Sequence, residues 1–337
     1  DNMLNKELIN KIERYVDIDL VQKAILETKH TSNLENFKHL DLIVNLEKIN
    51  NVRYINKFHE KINIKLVENG IYLSCAETLS ERSRRYKDRL PHGLKNIIRV
   101  IDFIWNRLIP KVPILKKVYF MLTNGHNRVL SKAEILGRVI SCGFTIEEYF
   151  EYNNLLYVIA KKIKKPDYNM KPSYSALFTM SRIGYQGKMI NVYKFRTMYP
   201  YSEYCQALIS EENNLAISGK INNDYRITLW GKYFRKYWID ELPMIINLFK
   251  GELNIVGVRP LSKHYYSLYP KDVQELRIKV KPGLVPPFYA DLPKSFEEIV
   301  ESEKRYILMK LKNPIMTDVK YFYKAFINIV FKGARSK

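Results

Sequence analysis

Acidic residues are scarce: 35 Asp and Glu stand against 56 Lys and Arg in 337 residues, a formal net charge of +21 at pH 7. That imbalance requires an anionic partner or surface, and nucleic acid, anionic lipid and nucleotide-sugar phosphates all qualify. Cysteine is nearly absent. Cys75, Cys142 and Cys205 form no C-x-x-C and cannot all pair, so buried, reduced thiols in a reducing cytosol are expected rather than a disulfide framework. No run of eighteen uncharged apolar residues occurs, and Asp1–Lys11 is polar and charged. Neither a spanning helix nor a signal peptide is therefore expected, and any membrane contact would lie on the surface or dip into it. The 25 tyrosines invite a base-stacking reading. They are scattered through periodic apolar patterns without a zinc-finger, RNP-type or helix-turn-helix signature, so no nucleic-acid partner is expected.

Apolar residues make up 46% of the chain, and its length suffices for two cored domains. Residues 1–37 read as one or two polar helices with narrow apolar stripes, Leu8, Ile9, Ile12 and Tyr15, then Leu20, Val21, Ala24 and Ile25. Residues 38–163 have α/β grammar. Leu40–Val44 and Ile71–Cys75 are predicted buried strands, Ile55–Leu66 a helix, Lys132–Ser141 a helix stopped by Gly143, and Phe144–Tyr149 with Leu155–Lys161 a hairpin around Asn153-Asn154. This order is similar to the C-terminal half of a class I methyltransferase-like fold. The G-x-G loop and ribose-binding acid of an active dinucleotide-type site are missing. A degenerate platform is the expectation. Within it, Leu94–Leu122 places Leu94, Ile97, Ile98, Ile101, Trp105 and Leu108 on one helical face and Lys95, Arg99, Asp102 and Asn106 on the other, with prolines 110 and 113 breaking the helix. Both an interfacial membrane element and an ordinary helix packed on the sheet fit that pattern. The basic run Arg82–Arg89 before it would attract anionic head groups. Lys161–Pro166 marks the expected domain boundary, with Pro166 and Pro172 punctuating a linker.

Trp238–Pro260 carries the chemistry. Asp240 and Glu241 open a predicted short helix in which Pro243 is tolerated in the first turn. Leu242, Ile245, Ile246 and Phe249 have the spacing of a buried face, and Gly251 is the stop. A strand, Leu253–Val256, then runs into Gly257-Val258-Arg259-Pro260. Two adjacent carboxylates at a helix start suit phosphate chemistry, one attacking phosphorus while the other holds a divalent metal. Taken alone, they also fit an N-cap beside a surface acid.

Around this stretch stand, in order, Arg182-Ile183-Gly184, Tyr193-Lys194-Phe195-Arg196-Thr197-Met198, Arg226-Ile227-Thr228, Gly231–Lys236 and Lys281-Pro282-Gly283. The series resembles the monotopic phosphoglycosyl transferases, the bacterial sugar transferase family, over about residues 165–337. The linked order is what makes the resemblance specific. Together with the methyltransferase-like similarity of the N-terminal part, it implies an α/β fold overall: a truncated Rossmann-like N-terminal domain (38–163), then an α+β sugar transferase domain (164–337) with membrane-surface amphipathic helices.

By the same resemblance, Asp240 is the nucleophile that takes a phosphosugar from a nucleoside diphosphate sugar, and a polyprenyl phosphate then receives it. Glu241, with Asp240, would hold Mg²⁺. Lys194, Arg196, Arg226, Arg235, Arg259 and Lys281 would bind phosphates, and Glu303 is an accessory acid candidate. The family also implies an anionic membrane surface as partner, at the cytoplasmic face of a bacterial inner membrane in peripheral or monotopic attachment, while a homodimer stays open. The chain departs from the family pattern at Val258, Lys281 and Glu303, where Pro, Arg and Asp are usual. These changes bear on donor identity. The alternative is a non-catalytic membrane-surface scaffold of a polysaccharide assembly complex.

Overall fold

The computed structural model describes residues 4–89, 91, 94–168, 174–212 and 224–333. Two compact units emerge, Asp1–Tyr174 with Tyr199–Arg226, and Ser175–Met198 with Ile227–Lys337. The division thus falls later than the lysine-rich run at 161–165, and residues 199–226 return to the first unit. Cys205 and Ile209, both fully buried, are core residues of that unit. Pro172, Arg335 and Lys337 lie outside the described residues.

In the first unit, α1 (Lys6–Ile12) is capped by Asn5 and buries Leu8 and Ile12. The second apolar stripe is not a helix. Lys23–Leu26 forms β1, parallel to β2 (Leu40–Lys48) in the register Lys23↔Leu42 to Leu26↔Asn45. Period-two alternation wins there because it sends Ala24 to one face of the sheet and Ile25 to the other. Residues 1–37 are accordingly part of the sheet unit.

Helix α2 (Ile55–Lys65) leads into β3 (Leu66–Ala76), parallel to β2. Then come α3 (Leu79–Arg89), α4 (Leu94–Phe103), α5 (Pro113–Thr123), α6 (Lys132–Ser141), β4 (Phe144–Tyr152) and β5 (Leu155–Lys162). The hairpin turns at Asn153 and Asn154, with φ of 47° and 60°, as a two-residue primed turn requires. Strand β5 inserts between β3 and β4, antiparallel to both, giving the order β1-β2-β3-β5-β4. The unit is therefore a Rossmann-like parallel sheet closed by an antiparallel hairpin. Both faces are covered: Ile43, Tyr72, Val158 and Ala160 pack with residues of α2 and α6, and Leu42, Val44, Leu73 and Ile159 pack with α1. Strands covered on both sides read as nearly continuous apolar runs. Helix α7 (Gln206–Glu212) completes the unit.

Leu94–Leu122 is built inside out. A π-helical turn, Ile104–Leu108, and a 3₁₀ turn, Ile109–Lys111, continue α4. The polar face points inward. Arg82 Nε and Nη2 bond Asp102 at 2.7 and 2.5 Å, Asn106 is buried, and Arg107 donates to Glu134 at 2.5 Å. Ile97, Val100, Ile101 and Leu108 are exposed, as are Ile114, Met121 and Leu122 of α5. Arg82 is consequently not a lipid-facing charge: it is 2% exposed and paired with Glu77 and Asp102. In the same run Arg85 also pairs with Glu77, and Arg84 with Glu81.

The second unit holds an antiparallel hairpin, β6 (Leu177–Ile183) and β7 (Met189–Phe195), then α8 (Leu229–Lys236), a 3₁₀ segment Ile239–Met244 and α9 (Ile245–Phe249). Strand β8 (Asn254–Val256), α10 (Lys263–Ser267), α11 (Lys271–Arg277) and β9 (Gly283–Val285) follow, with β8 and β9 parallel. The unit ends with α12 (Phe288–Asp291), α13 (Phe296–Lys312) and α14 (Pro314–Val330). Tyr321 and Ala325 anchor α14 in the unit's core beside Val256, Tyr306 and Ile307. Phe322, Phe326, Val330 and Phe331 are exposed. The terminal helix is thus docked on one side and apolar on its open side. Among the described residues no helix is long and apolar enough to cross a membrane.

Candidate active site

Asp240 and Glu241 occupy the first turn of the 3₁₀ segment Ile239–Met244, entered through Trp238 in the left-handed region at φ 55°. The indole N–H of Trp238 donates to the Tyr289 hydroxyl at 2.7 Å, with the two rings edge to face. The following helix does not bury the face its spacing predicts. Leu242, Ile245, Ile246 and Phe249 are exposed, Phe249 at 87%. Pro243, Met244 and Asn247 turn inward instead. Asn247 is the cause: its Oδ1 accepts from the Tyr193 N–H at 3.1 Å and its Nδ2 donates to the Asn191 carbonyl at 2.8 Å. Those bonds join α9 to β7, and a buried backbone group satisfied in this way outweighs an apolar stripe that can face outward. Met244 then packs on Val192 and Leu253.

That attachment sets Lys194, on β7, against the acidic pair. Its Nζ donates to Glu241 Oε1 at 2.7 Å, and both side chains are partly buried. Among the described residues Asp240 forms no ion pair. Burial pushes its carboxyl above the ordinary aspartate range, Lys194 and Arg235 pull it down, and Glu241 adds to the rise. Arg235 reaches this field from α8, whose N-cap Thr228 accepts from Gly231 N–H. A β-carbon on Gly231 would come within 2.2 Å of the Thr197 carbonyl, so glycine permits the close approach that lets Arg235 Nε bond Thr197 Oγ1 at 2.9 Å.

The remaining basic residues divide. Arg196 extends the β7 ladder, its N–H bonding the Ala176 carbonyl, and its guanidinium stacks 5.1 Å over Phe178 while Nε donates to the Ser175 carbonyl. Arg259 is exposed at the end of the Gly257–Pro260 loop. That loop is locked to the Lys281-Pro282-Gly283 turn backbone against backbone. Gly283 N–H donates to the Val258 carbonyl at 3.0 Å, and a β-carbon on Gly283 would stand 2.2 Å from Gly257 N. Arg182, to which sequence reasoning gave no role, lies close enough to Arg259 for the two charges to interact. Burial first, and Arg259 second, lower its pKa. The signal was its place in Arg-Ile-Gly. Two neighbouring guanidinium groups of like charge favour an anion between them.

Three predicted residues have other partners in the structure. Arg226 belongs to the first unit, is 5% exposed, and is occupied by Asp224, which accepts from Nε at 2.8 Å and from Nη2 at 2.7 Å. Its fork is filled internally, so it is a structural ion pair and not a substrate ligand. Lys281 extends its ammonium toward Gly251 at the C-terminal end of α9, where the helix dipole favours a cation. Glu303 is no accessory acid: it is 1% exposed on α13 and paired with the buried Arg277 of α11. Arg277 in turn donates to the Arg259 carbonyl at 2.6 Å, which fixes the loop from behind. Asp318 likewise serves packing, accepting from Lys310 at 2.7 and 2.8 Å while Lys310 and Tyr306 reach the Val256 carbonyl.

Asp240 and Glu241 supply two hard oxygen donors, and no cluster of three or more His, Cys, Asp or Glu able to hold a metal forms among the described residues. That donor set fits Mg²⁺, which commonly takes one or two carboxylates and completes its shell with substrate phosphates and water.

Several curated proteins are similar to part of this chain. Galactosyl transferase CpsE of Streptococcus agalactiae is 34% identical over 136 residues, 39% of this chain and 30% of that protein. UDP-glucose:undecaprenyl-phosphate glucose-1-phosphate transferase of Escherichia coli is 31% identical over 180 residues, 52% of this chain and 33% of that protein. EpsL of Bacillus subtilis, an uncharacterized sugar transferase, is 36% identical over 115 residues, 34% of this chain and 50% of that protein. The chain spans about a quarter to a half of the length of such relatives. Among solved structures, an S-adenosylmethionine-dependent methyltransferase from Listeria monocytogenes is similar at a TM-score of 0.28 and 13% identity, covering 48% of this chain and 78% of that one. Residues 154–332, more than half of the sequence, match the family described as Bacterial sugar transferase, and the chain belongs to that family.

Proposed function

We propose that the chain transfers a sugar 1-phosphate from a nucleoside diphosphate sugar to a polyprenyl phosphate through a phosphosugar bound to Asp240, initiating polysaccharide or glycoconjugate assembly. The observation that carries this reading is the division of labour within the acidic pair. Glu241 is anchored by Lys194, whereas Asp240 forms no ion pair among the described residues and lies in the field of Lys194 and Arg235. A carboxylate so placed is held for attack and not consumed by a structural bond.

In the first half-reaction an Asp240 oxygen forms a bond to the sugar-bearing phosphorus, and the bond from that phosphorus to the nucleoside monophosphate breaks. In the second, an oxygen of the lipid phosphate attacks the same phosphorus and the Asp240 carboxylate leaves. Lys194, Arg235, Arg259 and Arg182 offset the negative charge that gathers on the phosphoryl oxygens. A magnesium ion held by Asp240 and Glu241 would supply further neutralisation of phosphate charge.

The pH dependence follows from the carboxyl's environment. Attack needs the ionised form, so activity falls as pH drops through the raised Asp240 pKa. The acid limb of kcat/KM is expected above the ordinary aspartate value of about 3.9. Lys194→Met removes the strongest influence holding that value down and moves the limb further toward neutral pH. A limb that stays put in a pH–rate comparison would detach Lys194 from Asp240. Stability runs the opposite way. Ionising a carboxyl whose pKa is raised on folding weakens the fold, and the loss is complete once pH exceeds the raised value.

The acceptor is a lipid, and the exposed apolar faces of α4, α5 and α14 are the surfaces that would meet its membrane. Peripheral or monotopic attachment at the cytoplasmic leaflet, where anionic lipid would complement the net charge, follows from that reading. Removing residues 94–122 would tear out the Arg82–Asp102 and Arg107–Glu134 bonds, so substitutions on the open face are the better test. Ile97→Glu, Ile101→Glu and Ile114→Glu combined should abolish most flotation with anionic liposomes while circular dichroism stays unchanged. Undiminished flotation would remove this face from the membrane contact.

A further inference from the structure

A cleft of about 1260 Å³ opens in the first unit, and none of its lining residues belongs to the second unit. Its walls come from the start of α2, the π-helical turn, α5 and α6, with Tyr174 and Tyr201 closing one side. Eight lining side chains are Lys or Arg and one, Glu134, is acidic. That single carboxylate is already engaged, accepting from Arg107 at 2.5 Å and from Arg138 at 3.1 Å. One carboxylate thus stands against eight cations in the cleft walls.

Two of them are built into the wall, Arg138 buried and Arg128 half-buried. Arg138 is 8% exposed, and its Nη groups reach Asn56, Tyr174, Tyr201 and Glu134. Arg128 donates through Nη2 to the Arg53 carbonyl at 3.2 Å and stacks 5.5 Å from the Phe120 ring. In both residues Nε is buried without a hydrogen-bond partner. A buried unpartnered donor costs about 1–3 kcal/mol, so the two guanidinium groups are kept in the cleft wall against a penalty. Packing alone does not account for them, because apolar side chains would fill the same space without that cost.

We propose that this cleft binds a phosphate or diphosphate ester, separately from the Asp240 site. Guanidinium forks match phosphate oxygens in pairs, and the rim charges Arg53, Lys116 and Lys117, all exposed, would draw the anion in. The cavity exceeds what one inorganic phosphate needs. Tyr54 and Phe120 offer apolar walls for the remainder of the ligand, and Ile114, Val118 and Leu122 of α5 are exposed for a hydrocarbon tail.

The test uses the full chain, with inorganic diphosphate followed by calorimetry and flotation on phosphatidylcholine vesicles carrying either phosphatidic acid or phosphatidylserine. Wild type should bind diphosphate in two classes of site, one lost in Lys194→Met. The other should weaken at least about tenfold in Arg128→Met and in the combined Arg53→Ser, Lys116→Ser, Lys117→Ser variant. The rim variant alters exposed residues only, which guards against a folding defect in the first. If the rim variant also loses a preference for phosphatidic acid, and diphosphate competes for it, the ester is a lipid headgroup. If vesicle preference is unchanged while diphosphate binding is lost, the ester is soluble. Equal diphosphate affinity and equal flotation in wild type and both cleft variants would overturn the proposal. Because the Lys194→Met arm reads the other site independently, failure here leaves the transferase reading intact, and the reverse.

Discussion

Asp240→Asn should reduce transfer of labelled sugar phosphate to polyprenyl phosphate by about 10⁴-fold or more, the scale on which removal of a covalent nucleophile acts. Asparagine keeps the shape of the side chain and the 3₁₀ turn Ile239–Met244 that presents it. It cannot form the mixed anhydride with phosphorus, so the loss is chemical and not structural. Wild type incubated with the donor alone should gain the mass of a phosphosugar on the peptide containing Asp240, and the variant should gain none. Glu241→Gln is expected to fall by a smaller factor, on the order of 10²–10³. It removes the partner of Lys194, 2.7 Å away, but leaves Asp240 in place. If Asp240→Asn retained full transfer, or if no donor gave product with wild type, the chain would be better read as a scaffold of an assembly complex that has kept the fold.

The acidic pair was legible in the sequence because it depends on neighbours along the chain. Asp240 and Glu241 share one turn, and the strand alternation of Tyr193–Arg196 presents Lys194 toward it. Strands β2, β3 and β5 were legible for the same reason, each carrying its own apolar run, whereas β1 was read as part of a helical stripe. What local pattern could not convey is where a satisfied polar group overrides it. Asn247, an unremarked amide between two apolar residues, rotates α9 so that Ile245 and Ile246 face outward. Asp102 and Asn106 do the same for α4, drawn inward by Arg82 and Tyr119. Arg226 looked like its neighbours in a basic series, yet Asp224 two residues earlier had already claimed it. Each departure comes from a charge or amide finding a partner the periodicity does not encode. The open apolar face of α4 that results is one of the surfaces proposed to meet a membrane.

Glu303→Ala should destabilise the chain by about 3–5 kcal/mol in urea unfolding, the cost of leaving one member of a buried ion pair without its counter-charge. Its partner Arg277 is 5% exposed, packed 4.8 Å from the Tyr269 ring, and holds the Arg259 carbonyl through Nη2. Two consequences separate there, one for the fold and one for the loop Gly257–Pro260. Replacing both partners, Glu303→Leu with Arg277→Met, removes the orphaned charge and should recover most of the lost stability, because apolar side chains of similar volume commonly substitute for a buried pair without penalty. The bond to the Arg259 carbonyl is not restored by that exchange. Donor KM should therefore remain raised, by roughly tenfold for one lost charge-assisted hydrogen bond, while kcat changes less. A double variant with both stability and KM restored would show that the loop is held by its glycine-to-glycine contact with Gly283 alone. Recovery of stability without recovery of KM assigns Arg277 to positioning Arg259, and places the pair Arg277–Glu303 behind the Gly257–Pro260 loop and not at the reacting atoms.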